Sequence, residues 1–261
     1  MSTLPAPLLA CEGLVKRFGG VVALDQLALA VFPDEILGLI GPNGSGKTTL
    51  FNVVTGIYAA EAGRVAFAGA DITTYAAQAI YRAGISRTFQ RSRLSLPLSI
   101  FDNIMIGNHK NLSHGLWRNL IDRGAFRREY EVSLAAAREL VHVFDAPLAD
   151  RMFEPVAGLP MIARRRVEIC RALISQPRLL LLDEPSAGMT HDETRQLMDD
   201  IIEVRDRFEG LTIIIVEHEM GVIERITNRC VVLNFGRKIA EGAFREVAAN
   251  AEVQEAYLGM Q

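Results

Sequence analysis

"GPNGSGKT" (Gly41–Thr48) is the stretch on which the reading of this chain turns. It fits the pattern G-x-x-x-x-G-K-[ST]. An apolar run, "EILGLI" (Glu35–Ile40), precedes it. "KTTLFNVVTG" (Lys47–Gly56) follows as a helix closed by glycine. Strand, glycine loop and helix in that order make a cradle for phosphate. The glycines let the backbone bend so that its N–H groups converge on phosphate oxygens. The helix start adds partial positive charge, worth about 0.3–1 kcal/mol per favourable contact. Lys47 supplies a full charge to the β- and γ-phosphates, and the Thr48 hydroxyl suits Mg²⁺. An ordinary glycine turn before a helix is the bland alternative.

"LLLLDEP" (Leu179–Pro185) is the second element. A buried strand that ends in two acids places them beside the phosphates. Asp183 suits the Mg²⁺ shell, because magnesium prefers a carboxylate or two together with water and phosphate oxygens. Glu184 is placed to orient or deprotonate an attacking water. His218, in "VEHE", ends the next apolar strand, where an imidazole reaches the γ-phosphate. Gln90, ending "RTFQ", is a neutral amide able to reach the metal or the water. Phe18, in "KRFGG", can stack on adenine, although an isolated phenylalanine is usually core. His109, His114, His142 and His191 read as structural histidines.

Outward from these motifs, β-branched runs alternate with helices, which predicts a parallel sheet wrapped by helices. "RLLLLDE", "LTIIIVEH", "CVVLN" and "GRKIAEG" are its later strands. "THDETRQLMDDIIEVRDRF" is a helix opened by a capping box of Thr190 and Glu193. Leu8 to about Val31 reads as short strands of an antiparallel edge layer. "GRVAFAG" is a strand and turn, and "GISRTFQ" a strand leading into a loop. From about Pro97 to Arg171 the periodicity is helical, in "IFDNIMIG" and "EYEVSLAAARELVHVF", joined by the polar "HKNLSHGLWRNLIDRG". "RRR" (Arg164–Arg166) and "FRRE" (Phe126–Glu129) read as solvated helix faces.

The chain has 261 residues, 49% of them hydrophobic, enough for one large domain or a domain with a subdomain. A net charge of −3 gives no pull toward nucleic acid. Cys11, Cys170 and Cys230 are scattered and odd in number, which predicts reduced, buried thiols. The start lacks the basic and apolar regions of a signal peptide. The aliphatic runs are too short to span a bilayer, so any membrane role is expected to come through a partner.

Taken in order, these residues resemble an ABC-type ATPase: an adenine-stacking aromatic (Phe18), a Walker A loop with Gly41, Pro42, Asn43, Gly44, Ser45, Gly46, Lys47, Thr48 and Thr49, a Q-loop (Gln90), a helical subdomain, a Walker B pair (Asp183, Glu184) and a switch histidine (His218). "GPNGSGKTTLFNVVTG", "GISRTFQRSRL", "RRRVEICRAL", "VEHEM", the ending "EVQEAYLG" and the insertion between Gly107 and Leu134 are similar to the ATP-binding subunits of branched-chain amino acid importers. Lipopolysaccharide-export ATPases share the motifs, but the longer insertion fits them less well.

The resemblance implies a P-loop ABC ATPase, an α/β fold with a RecA-like parallel sheet core, an antiparallel β edge layer and an inserted α-helical subdomain. Its α/β lobe would take residues 1–90 and 174–261, and its helical signature subdomain residues 91–173, within a single domain. It implies ATP and Mg²⁺, catalytic roles for Lys47, Gln90, Glu184 and His218, and a metal shell of Thr48, Gln90 and Asp183. The implied partners are a second ATPase subunit, two membrane permeases and a periplasmic binding protein, with this chain peripheral on the cytoplasmic face of the inner membrane.

Two departures from the family pattern stand out. The signature pentapeptide, Leu-Ser-Gly-Gly-Gln-like, aligns with Leu159, Pro160, Met161, Ile162 and Ala163. Pro160 offers neither hydroxyl nor amide proton, and Ile162 puts a branched side chain where bare backbone belongs. Losing hydrogen bonds to a charged group costs roughly 1.5–3 kcal/mol each. The expectation is a defective composite site, and hence a heterodimer. The second departure is "SAGMTH" (Ser186–His191), where Thr190 and His191 replace a customary Asn-Pro. A motor subunit and a regulatory nucleotide-binding module with little hydrolysis both remain open.

Overall fold

The computed structural model describes residues 6–90, 93–111 and 123–258. Its first half runs β1 (Leu9–Phe18), β2 (Val21–Val31), β3 (Ile36–Ile40), α1 (Lys47–Val54), β4 (Ala62–Phe67), β5 (Ala70–Asp71), α2 (Ala77–Ala83), β6 (Ile85–Arg87), α3 (Ile100–Ile106) and α4 (Arg123–Phe144). Then follow α5 (Ala146–Ala149), α6 (Met161–Leu173), β7 (Leu179–Asp183), α7 (His191–Arg207), β8 (Thr212–Val216), α8 (Met220–Ile226), β9 (Arg229–Asn234), β10 (Arg237–Gly242), α9 (Phe244–Ala248) and α10 (Ala251–Leu258).

These elements form two compact units. The first comprises residues 1–87, 178–185 and 208–261, the second residues 88–177 and 186–207. The sequence reading put residues 186–207 in the α/β lobe, whereas here α7 groups with the helices. The reason is its buried face: α7 packs on α4 and α6.

The first unit holds two sheets. One has the order β10-β9-β3-β8-β7-β6, parallel apart from the antiparallel β9–β10 hairpin at its edge. The other is antiparallel, in the order β2-β1-β4-β5. It is the expected edge layer, with β1 and β2 longer than foreseen at 10 and 11 residues. Both faces of β3, β7 and β8 are buried, which explains their unbroken aliphatic runs. Leu37 and Leu39 face one core with Leu50, Phe51, Val53 and Val54 of α1 and with residues of the antiparallel sheet. On the opposite face a Cβ at Gly38 would lie 3.0–3.2 Å from Thr227, Cys230 and Ile223, so glycine lets α8 approach.

In the second unit α3, α6 and α7 pack against α4. The helix expected over "RRRVEICRAL" is α6, with Val167, Ile169, Cys170 and Leu173 at most 1% exposed. The solvated-face reading of Arg164–Arg166 is overturned at Arg165 and Arg166. Arg165 and Arg166 are 6% and 5% exposed. Arg166 donates to Asp145 at 2.8 Å and Asp200 at 2.9 Å, while Arg165 pairs with Glu168 at 2.8 Å. For Arg166, carboxylates on neighbouring elements let the guanidinium enter the interior, and periodicity along one helix carries no sign of them. "FRRE" behaves as expected, with Phe126, Arg127 and Arg128 exposed. His109, His142 and His191 are exposed, while His114 and most of the polar linker lie outside the described residues. All three cysteines are buried free thiols.

Candidate active site

The strands β3, β7 and β8 run in register, with Asp183 beside Val216 and Gly38 beside Ile215, so their carboxyl ends share one edge. Each of these ends carries a piece of the site. The loop after β3 turns back under tight constraint. At Gly41 a Cβ would sit 2.1 Å from the Leu233 carbonyl oxygen. At Gly46, with φ +108°, it would sit 2.5 Å from the Ala23 carbonyl oxygen. Gly236 N–H donates to Ser45 O at 2.9 Å, tying the loop to the β9–β10 hairpin. The Tyr257 phenol of α10 hydrogen-bonds the Gly41 backbone, and burial pushes its pKa up to about 12.

Lys47 is buried, and its ammonium donates to the carbonyls of Gly41 at 2.7 Å and Pro42 at 2.9 Å. Burial pulls its pKa down, while the negative charges of Glu184 and Asp183 act in the opposite sense. Helix α1 begins at Gly46 with no side-chain cap and no acid in its first turn. A helix start of this kind, lined by a lysine, suits an anion. Asn43 and Gly44 are exposed, Ser45 is buried, Thr48 is exposed and Thr49 half-buried, so the loop faces solvent along one side. A triphosphate fits this loop.

Asp183 is 2% exposed at the end of β7. Arg87, from the end of β6, donates to its Oδ2 at 2.6 Å and to Asn52 Oδ1 on α1 at 2.7 Å. Among the described residues no cluster of three His, Cys, Asp or Glu side chains forms a metal cage. One carboxylate with a hydroxyl such as Thr48 is instead the donor set of a magnesium that keeps phosphate oxygens and water in its shell. Mg²⁺ fits here as a companion of the nucleotide.

Glu184 takes φ +48°, a conformation that costs a non-glycine residue about 1–3 kcal/mol. Its N–H donates to Val216 O at 2.9 Å, which holds the turn. The side chain then meets His218, with Nε2 2.8 Å from Glu184 Oε1. Both side chains reach solvent, at 17% and 47% exposure. A carboxylate and an imidazole so joined at the mouth of a phosphate loop can order and deprotonate water. Phe18 is 43% exposed and packs edge-on against Tyr58, their ring centres 5.2 Å apart, while the Lys16 ammonium lies 5.3 Å from the Phe18 ring. It is a surface ring, open for stacking, and its core alternative falls away.

Gln90 belongs to the second unit and is exposed. Its flanks are held by α6: Arg165 donates to Phe89 O at 3.3 Å, and Arg93 N–H donates to Glu168 at 2.9 Å. The stretch Leu159–Ala163 lies in the same unit. Pro160 stands at the N-cap of α6 and gives it no side-chain cap. Leu159, Ile162 and Ala163 are buried, and Pro160 and Met161 exposed. The Met161 sulfur lies 3.3 Å from where a Cβ on Gly188 would stand, so the two departures, "LPMIA" and "SAGMTH", pack on one another. The capping box appears as read, Thr190 N–H donating to Glu193 at 2.9 Å and Glu193 N–H to Thr190 at 3.3 Å.

Sequence reasoning assigned no role to Arg87, Asn52, Tyr58 or Tyr257. A charged residue inside the short strand expected over "GISRTFQ" was the available signal for the first. The others lie on no motif whose chemistry is local.

A family model described as ABC transporter matches residues 24–187, and one described as branched-chain amino acid ATP-binding cassette transporter matches residues 237–259, the part that holds Tyr257. The chain is 36% identical over 253 residues to the high-affinity branched-chain amino acid transport ATP-binding protein LivG of Escherichia coli (strain K12), spanning 97% of this chain and 98% of that protein. It is 35% identical over 254 residues to BraF of Pseudomonas aeruginosa, also a high-affinity branched-chain amino acid transport ATP-binding protein, again spanning 97% and 98%. The crystal structure of an ADP-bound conformation of an ABC transporter cassette matches with a TM-score of 0.83 and 30% identity, over 98% of this chain and all 100% of that one.

Proposed function

As the chain belongs to the ABC transporter family, we propose that it is the ATP-hydrolysing subunit of an importer for branched-chain amino acids or a similar small solute. One observation carries this reading. The Glu184–His218 pair, 2.8 Å apart, stands on the same sheet edge as the Lys47 loop. Phe18 stacks on adenine. The amides of Gly41–Thr49 and the Lys47 ammonium hold the phosphates. Thr48 and Asp183 would hold Mg²⁺, which when bound neutralises charge on the transferred phosphoryl group. Glu184 takes the proton of the attacking water and His218 reaches the γ-phosphate oxygens.

The site works between subunits, in a head-to-tail pair where each nucleotide also meets the other subunit's signature. "LPMIA" supplies neither hydroxyl nor glycine amide there, so the partner is a different ATPase chain with an ordinary signature. Two permeases and a periplasmic binding protein complete the assembly. Among the described residues no helix is long and apolar enough to cross a membrane. In this reading the chain sits peripherally, on the cytoplasmic side of the inner membrane, held there by the permeases.

The test is uptake of labelled leucine by cells carrying Lys47→Ala. Loss of uptake with the complex still assembled is expected of a motor. The uncapped, proline-led start of α6 favours a second reading, a regulatory module with little hydrolysis. Uptake undiminished by Lys47→Ala would favour the module over the motor.

A further inference from the structure

Arg87 has no part in the scheme above, yet it sits at the centre of the site. Its side chain is 5% exposed and that of Asp183 3%. Asp183 receives a hydrogen bond from one terminal nitrogen and Asn52 from the other, at 2.6 Å and 2.7 Å. The guanidinium carbon lies 5.2 Å from the centre of the Phe51 ring. Asn52 and Phe51 belong to α1, the helix that opens at Lys47, and Asp183 ends β7, which pairs directly with β6. A single planar cation therefore spans the phosphate-loop helix and the acid at the neighbouring strand end.

Burying such a pair gains little stability over an apolar substitute of the same volume, because two charges must first leave water. What the arrangement does supply is geometry. A guanidinium held at one terminal nitrogen by an amide oxygen and beside a ring restricts how the carboxylate it meets can turn. Ligating carboxylates elsewhere depend on such hydrogen-bonded support.

We propose that Arg87 is a positioning residue for the divalent cation: it fixes the Asp183 carboxylate relative to α1, so that the metal arriving with the nucleotide meets a preset ligand. The inference rests on the reading of Asp183 as a metal ligand.

The experiment measures Mn²⁺ binding to the purified full-length chain in the presence of ADP, by electron paramagnetic resonance. Arg87→Met is expected to weaken Mn²⁺ binding about 10- to 100-fold, the usual cost of losing the support of a ligand. ADP binding in excess EDTA should stay unchanged. Arg87→Lys should recover part of the loss, and Asn52→Ala should produce a smaller loss of the same kind. In an Asp183→Asn background Arg87→Met should add nothing. If Asp183→Asn weakens Mn²⁺ binding while Arg87→Met does not, the proposal is overturned and the guanidinium only fills space. If Asp183→Asn itself leaves Mn²⁺ binding intact, the reading beneath the proposal fails instead. Should Arg87→Met not fold, Asn52→Ala with wild-type circular dichroism decides: unchanged Mn²⁺ affinity there overturns the role.

Discussion

Glu184→Gln in this chain should silence the assembled transporter, whereas the matching change in its partner should hardly be felt. The asymmetry follows from "LPMIA". Pro160 carries no donor, and Ile162 is 9% exposed, a core residue of the helical unit. Two contacts to a charged γ-phosphate are missing from the composite site this chain's signature would serve, at roughly 1.5–3 kcal/mol each. Together they amount to about 3–6 kcal/mol, or roughly 10²- to 10⁴-fold in rate at about 1.4 kcal/mol per tenfold. Turnover then passes almost wholly through the other site, built on this chain's Lys47, Glu184 and His218. Glutamine is isosteric with glutamate, and its amide can still meet His218. It cannot take the proton, a loss typically worth about 10²- to 10⁴-fold. Phosphate release by the reconstituted complex at saturating ATP should therefore fall at least about 100-fold with Glu184→Gln, a general-base loss. With the partner's corresponding substitution it should stay within about twofold, the weak site adding so little. Equal losses from the two substitutions would refute the asymmetry. Full turnover with Glu184→Gln would remove Glu184 as the base.

Other consequences can be measured on the chain itself. Arg166→Met strands the half-buried carboxylates of Asp145 and Asp200 and should lower unfolding free energy by about 1.5–3 kcal/mol in a urea titration; a change under about 1 kcal/mol, the range of a surface pair, would contradict the buried assignment of Arg166. Gly46→Ala drives a Cβ to 2.5 Å from the Ala23 oxygen at φ +108°, so ADP affinity, read by fluorescent-analogue titration, should fall at least about tenfold as the loop distorts. Unchanged affinity would show the loop to be more compliant than its contacts imply. The Tyr257 phenol has its pKa raised from 10 to about 12, so the native state holds the proton more tightly than the unfolded chain, and this phenol's contribution to stability is lost as pH climbs from about 10 toward 12. Absorbance titration at alkaline pH should show one tyrosinate forming near pH 12, a step that Tyr257→Phe removes; a titration identical in the variant would place Tyr257 in water.

Sequence alone determined the elements whose physics is local. "EILGLIGPNGSGKT" states strand, loop and helix within one short window, because glycine conformations, helix-start dipole and lysine charge act between near neighbours. Hydrophobic runs marked β7, β8 and β9, and their parallel order placed Asp183, Glu184 and His218 on one edge. The departures in the signature were likewise plain from residue chemistry, since proline lacks its donor in any fold. Tertiary structure decided what depends on residues far apart in the chain. Arg87 reaches Asp183 across 96 positions, and Arg166 is buried because Asp145 and Asp200, on other elements, receive it. Met161 against Gly188 and Tyr257 against Gly41 are of the same kind. Periodicity reports which face of an element is apolar. It cannot report which distant carboxylate will stand opposite an arginine, and that pairing separates a solvated cation from one that organises a site.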